Sequence, residues 1–220
     1  MIEIVNFSNT LFQKAKTFES FRNQCKKYLQ EVNMNFDKFT IVGHDSFLGY
    51  VTEATISDYI SKHFNNVKVS SWENNHNIKK IINIIEAKDY SKESSSLVKE
   101  YFYDKWDLKI KTNNKTLYCD VKTAYTAKKP KDNWVFMYPV VQVNKEGKDF
   151  MLLVYYVVDK IKDIHSLEKL VIIGVTTPNI IKHCKIIKAG KKTRFGTISQ
   201  IDNYLTQLSK HYEPISNHIQ

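Results

Sequence analysis

No continuous apolar run in these 220 residues reaches the length a membrane span requires. The opening "MIEIVNFSNTLFQKAK" also lacks the basic, apolar and small-residue regions of a signal peptide, so a cytoplasmic protein with no membrane partner is the expectation. Cysteine is scarce. Cys25, Cys119 and Cys184 are odd in number, far apart and without zinc-ligand spacing, which points to reduced thiols rather than a disulfide framework or a zinc module. There is no linker, internal repeat or low-complexity tract, and 42% hydrophobic with 25% charged residues is ordinary for a globular protein. One domain over residues 1–220 is expected.

The scarcity that carries most information is local: two stretches have almost no acid. Residues 108–131 hold seven lysines and one acid, Asp120, and "NIIKHCKIIKAGKKTRF" (residues 179–195) holds five lysines and one arginine with no acid. Much of the formal charge of +10 is concentrated there. Such stretches suit a polyanion, whose released counterions would supply salt-sensitive affinity, so nucleic acid is the expected partner. The competing reading is that Lys-rich loops reflect solubility or an AT-rich genome.

The first basic stretch contains "WDLKIKTNNKTLYCDVKTAYT", residues 106–126, with strand-like alternation on both sides of Asn113 and Asn114. Asn tolerates the positive φ of a two-residue hairpin turn. A turn centred there sets Thr112 opposite Lys115, Ile110 opposite Leu117, Leu108 opposite Cys119 and Asp107 opposite Asp120. Leu108, Ile110, Leu117, Cys119 and Val121 then share an apolar face, while Asp107, Asp120 and Lys122 share the polar one. Like charges directly opposed across strands are destabilising, so something must offset the repulsion. A divalent cation is the simplest candidate, because Mg²⁺ is commonly held by one or two carboxylates together with phosphates and water. Lys122 could orient a water beside a metal-bound phosphate and stabilise the charge built up in displacement. Otherwise the hairpin is solvated and its charges only keep it soluble.

Along the chain, helical spacing is predicted over residues 11–32, with Phe12, Ala15, Phe18, Phe21 and Tyr28 inward. A second helix is predicted over residues 47–64, entered from "GHDS", with Leu48, Val51, Ile56, Ile60 and Phe64 as its stripe. "NNVKVSSW" reads as a short strand, "NIKKIINIIEAKDY" as a third helix and "SKESSS" as an exposed loop. "WVFMYPVVQVN" is at least partly extended. "DFMLLVYYVVD" is a strand buried on both faces, and "LEKLVIIGVT" is another strand. Residues 198–211 have the pattern of a closing helix. The predicted class is α/β, a central mixed sheet flanked by helices, with the carboxylate hairpin at one rim.

This order of helix, Asp-bearing strand, turn, Asp-x-Lys strand and apolar strands resembles the PD-(D/E)xK nucleases, and within them the orthodox Type II restriction endonucleases. "DVKTAYT" is similar to the Asp-Ile-Lys-Thr-Thr-Tyr-Thr segment of a blunt-cutting member. The resemblance covers residues 47–176. It implies a restriction-endonuclease-like core, with Asp107 and Asp120 as metal-binding carboxylates and Lys122 as the catalytic lysine. Trp106 stands where a Pro often precedes the first Asp. These families often carry a Glu on the preceding helix, a place that Glu53 in "GYVTEATI" matches. The implied activity is Mg²⁺-dependent hydrolysis of double-stranded DNA by a homodimer, with one active site for each strand of a palindrome. Alternatives are a repair or junction-resolving nuclease on the same core, and a basic DNA-binding module without catalysis.

For DNA contacts, "TAYTAKKPKDNW" offers Thr123, Tyr125, Thr126, Lys128, Lys129 and Asn133, and the later basic stretch offers Lys191, Lys192 and Arg194. Gln142 could reach a phosphate or merely end a strand. His44 and Asp45 read better as loop caps, with His44 held as a further base-reading candidate.

Overall fold

The computed structural model describes residues 1–32, 44–145, 147–160, 162–193, 196 and 198–219, without the side chain of His44. After a short strand β1 (Ile2–Ile4), helix α1 (Asn9–Glu31) starts at Ser8, whose hydroxyl accepts the Leu11 N–H at 3.1 Å. Ala15, Arg22, Cys25, Tyr28 and Leu29 form its buried face, at separations of seven, three, three and one that keep to one side of a helix. Helix α2 (His44–His63) buries Phe47, Val51, Ile56 and Ile60 completely, while Leu48 and Phe64 are half-covered.

Strand β2 (Lys68–Ser71) follows, then α3 (Ile78–Glu86), which ends earlier than its periodicity suggests because Lys88 turns into the left-handed region at φ 51°. The serine-rich segment expected to be a loop is instead the start of a helix, α4 (Lys92–Phe102). Ser91 accepts the Ser94 N–H at 3.3 Å, and Asp89 accepts from the Ser91 N–H and the Ser94 hydroxyl. Serines that look like loop composition are acting as a cap.

Strands β3 (Leu108–Lys111) and β4 (Thr116–Thr126) form the hairpin. Strand β5 (Val135–Pro139) ends at its proline and passes into a single turn, α5 (Val140–Val143). Strands β6 (Phe150–Val158) and β7 (Leu167–Thr176) are followed by α6 (Pro178–Lys182) and β8 (Ile186–Ile187). Residues 198–211, expected as a closing helix, hold strand β9 (Asn203–Gln207) and only one turn, α7 (Leu208–His211), before α8 (Ser216–Ile219). Pairing of β9 with both β5 and β8 overrides a helical pattern that amounts to a few apolar positions.

Two sheets result. The larger has the order β1-β7-β6-β4-β3-β2, and the smaller β5-β9-β8. The larger is mixed: β4 and β6 run parallel, and its other neighbours are antiparallel. Every residue of β6 is buried, as its unbroken apolar run predicts. Phe150, Leu152, Val154, Tyr156 and Val158 pack with Phe47, Val51, Ile56 and Ile60 of α2. Met151 packs with Tyr138 and Tyr204 of the small sheet, and Leu153, Tyr155 and Val157 pack around Leu208 and Phe136. The main sheet is therefore covered by helices on one face and by the small sheet on the other. β2 forms the edge next to the hairpin, so the hairpin lies one strand in from the rim, with β4 near the middle of the sheet.

Candidate active site

The hairpin adopts the register that turn and alternation predict. Leu108 pairs with Cys119 and Ile110 with Leu117, and the Thr112 N–H donates to the Lys115 carbonyl at 2.9 Å. Leu108, Ile110 and Cys119 are fully buried against the helical layer. Continued by one residue, the register places Asp107 level with Asp120. Pairing as such begins at Leu108, and the Asp107 N–H donates to the Cys119 carbonyl at 2.9 Å. The Asp107 carbonyl in turn accepts the Trp72 N–H at 3.2 Å. Trp106, at the place where the resembled family often has Pro, anchors this corner. Its ring meets Trp72 edge-on at 5.0 Å and Tyr118 at 5.4 Å. Held from both sides, Asp107 folds its carboxylate onto β4, where Oδ2 accepts the Val121 N–H at 2.5 Å. That amide lies between Asp120 and Lys122, so the three predicted groups converge.

Asp120 is only 4% exposed and carries an ammonium on each oxygen. Lys122 Nζ lies 2.8 Å from Oδ2, and Lys148 Nζ is paired with Oδ1. Lys148 is absent from the sequence reading. It sits in the short connection before β6, which runs parallel to β4 with Phe150 beside Cys119. Its neighbour Asp149 clamps this connection to β4: the Asp149 N–H donates to the Tyr118 carbonyl at 2.9 Å, and its carboxylate accepts the Tyr118 N–H at 2.7 Å. Gly147, next to Lys148, takes φ 88°, which glycine adopts without strain.

Burial drives the Asp107 carboxyl upward, and the neighbouring Asp120 charge adds to the effect, so its pKa is pushed up to about 8. Burial would raise Asp120 too, but Lys122 and Lys148 outweigh it and hold that carboxyl below its ordinary value. Burial would depress Lys122, yet Asp120 and then Asp107 keep its ammonium well above the usual range. The two carboxylates are thus split, one firmly ionised and the other holding its proton near neutrality. Among the described residues Asp107 has no cation of its own.

Glu53 approaches from α2. It lines a cleft of about 450 Å³ with Tyr50, Asp58, Ser71, Glu73 and Leu108. Burial, then Asp107 and Glu73, raise its carboxyl well above the ordinary value, partly opposed by Arg22. Arg22 is a second group that the sequence reading missed. It is 5% exposed on the apolar face of α1, lies over the Phe102 ring at 4.5 Å and reaches Asp104 at 3.9 Å. A charged residue in step with Ala15, Cys25 and Leu29 was the available signal.

The DNA-contact candidates separate. Thr123 and Tyr125 point to the helical side of β4, where Tyr125 meets Tyr156 at 6.4 Å between ring centroids. Lys122 and Thr126 point to the other side, and Thr126 closes a turn by accepting the Lys128 N–H at 3.0 Å. Lys128, Lys129 and Asn133 are exposed before β5, although Lys129 is paired with Glu3 at 2.7 Å. Lys191 and Lys192 are exposed between β8 and β9. Arg194 and the His44 side chain lie outside the described residues. Asp45 is exposed in the first turn of α2, and Gln142 is half-buried on α5.

Among the described residues, no group of three or more His, Cys, Asp or Glu side chains is disposed to hold a metal. A magnesium ion does not demand one, since one or two carboxylates with phosphate oxygens and water suffice. Asp107 and Asp120 are the two carboxylates that could contribute to such a donor set: the hairpin register, continued by one residue, sets them level, and among the described residues Asp107 has no paired cation. No helix among the described residues is long and apolar enough to cross a membrane. Comparison with family models, with curated proteins and with solved structures finds no match to this chain.

Proposed function

We propose that the chain is a divalent-metal-dependent endonuclease of double-stranded DNA, of the restriction type, acting as a homodimer. The observation that carries this reading is the convergence of Asp107, Asp120 and Lys122: the Asp107 carboxylate sits on the Val121 amide, and Lys122 lies 2.8 Å from Asp120. Asp107 and Asp120 would hold Mg²⁺, which supplies charge neutralisation at the phosphate and the leaving oxygen. The Lys122 side chain is 21% exposed, and its 2.8 Å pairing with Asp120 fixes its direction. It would orient the attacking water in line with the scissile bond and stabilise negative charge as it develops. Glu53, whose carboxyl is raised by burial and then by the Asp107 charge, would be a further acidic group for this chemistry, although the cleft it lines contains none of the three. Two copies related by a two-fold axis would present one such site to each strand of a palindrome.

One observation favours a non-catalytic basic DNA-binding module instead. Asp120 is neutralised by Lys122 and Lys148 without any metal, as a purely structural ion triad would be. Asp107 argues against it, because a desolvated carboxyl beside a like charge is a cost that a structural site would shed. Incubating the protein with mixed plasmid DNA and Mg²⁺ decides between them. Discrete, reproducible bands are expected. Cutting confined to branched DNA would indicate a junction or repair nuclease, and intact DNA across a series of divalent metals would overturn the catalytic reading.

A further inference from the structure

Even with both carboxyls ionised, which is the least positive state of the site, its four charges only balance before any metal arrives. Asp107 and Asp120, if both ionised, carry two negative charges, and Lys122 and Lys148 carry two positive ones. A divalent cation added to this group leaves it with two excess positive charges in a poorly solvated place, where Asp120 and Lys148 each expose only 5% of their side chains. The two lysines are not equivalent. The Lys122 side chain is 21% exposed, whereas that of Lys148 is enclosed at 5% and its backbone is clamped through Asp149 to Tyr118. The ion that a metal cannot easily displace from Asp120 is therefore Lys148. An incoming phosphate is the natural source of the missing negative charge.

Resting on the nuclease reading of this site, we propose that Lys148 is a positioning residue: the fixed counterion of Asp120, which keeps divalent cations out of the DNA-free site and makes their entry depend on a DNA phosphate. Lys148 touches neither substrate nor metal in this role. It acts through Asp120, by fixing the direction of the carboxylate and contributing an enclosed positive charge that opposes a second cation. Binding of metal and of DNA would then be coupled, each strengthening the other by the same factor.

The test is calorimetric titration of Ca²⁺ into the full chain at fixed ionic strength, with and without a short DNA duplex, for the native protein, Lys148→Met and Lys148→Arg. Removing one adjacent unit charge is expected to tighten Ca²⁺ binding to DNA-free Lys148→Met by about tenfold or more. Lys148→Arg, which restores the charge, should return the affinity to the native value. The duplex should tighten Ca²⁺ binding to the native protein strongly and to Lys148→Met much less. If circular dichroism shows Lys148→Met to be unfolded, Lys148→Gln, which can still donate an N–H to Asp120, replaces it with the same expected gain. Equal or weaker Ca²⁺ binding by the neutral variant overturns the proposal, as does native binding that is equally tight with and without duplex. Coupled binding with plasmid left uncut would uphold the role of Lys148 and remove the nuclease reading. No Ca²⁺ binding by any of the proteins in either condition would overturn both.

Discussion

At Asp107 the consequences of burial can be measured without any substrate. Its folded pKa of about 8 lies above the unfolded value, so between pH 4 and 8 the folded chain binds a proton that the unfolded chain has released. Stability from this group is complete below about pH 4 and is lost as pH rises through about 8. In metal-free buffer, Asp107→Asn should match the native protein at pH 4 and melt several degrees higher at pH 8. Thermal scans across that range check it, and a native protein equally stable at both pH values would show that Asp107 is well solvated. Asp120→Ala should behave oppositely. It strips the partner from an ammonium that is only 5% exposed, and breaking such a pair costs about 3 to 5 kcal/mol. On the nuclease proposal, in which Lys122 acts on the transition state, Lys122→Ala should slow single-turnover cleavage by about 100-fold or more with little change in DNA affinity. If affinity falls and the chemical rate survives, Lys122 is only a phosphate anchor.

Two elements have weak points that a single substitution should expose. Helix α4 depends on its cap, and Ser91→Ala removes the acceptor for the Ser94 N–H, at a cost of about 1 kcal/mol. Because α4 and α1 hold the aromatic cluster around Trp72 and Trp106, that loss is transmitted to the corner that carries Asp107. On β7, Gly174 lies at the irregularity where β6 and β7 slip register, with φ 149°. A Cβ there would sit 2.5 Å from the Glu213 carbonyl oxygen, which accepts the Val175 N–H at 2.8 Å. Gly174→Ala should therefore destabilise by about 2 to 3 kcal/mol, read as a lower urea midpoint with an unchanged slope. A neutral result would mean that the 212–214 segment can move aside.

For the whole molecule, the basic charge is distributed by the small sheet. Strand β9 pairs with Val135 at one end and, through Asn203, with Ile187 at the other. The segment with Lys128 and Asn133 and the segment with Lys191 and Lys192 therefore leave opposite ends of a five-residue strand, roughly 14 Å apart. That span can follow a backbone groove. If the proposed DNA-binding role holds, neutralising Lys191 and Lys192 together should weaken binding to every DNA and reduce the salt slope by about 2, at about 0.9 per phosphate. Neutralising Lys129 should matter less than Lys128, since Glu3 already engages it. Asn133 and Arg194 are the substitutions expected to lower the ratio of specific to random affinity, because base-edge contacts carry sequence and phosphate contacts do not. An unchanged ratio in both would place base reading elsewhere on the chain.

The sequence alone determined what is local. The hairpin register follows from a two-residue Asn turn and a period of two, and both act within twenty residues. The buried strand at 150–158 follows from a run with no polar position to turn outward. Asp107, Asp120 and Lys122 were legible because a single turn brings them together. Tertiary structure alone decided the rest. Lys148 reaches Asp120 only because β6 lies parallel to β4 in one particular register, and parallel pairing leaves no nearby turn from which to count. The same limit hid β9, whose strand state is set by partners nearly 70 residues away at β5. It also hid Arg22, whose charge is tolerated on an apolar helix face because Asp104, the Tyr101 carbonyl and the Phe102 ring converge on it from the far end of α4. Local propensity cannot encode such contacts, because their free energy exists only after distant segments have met.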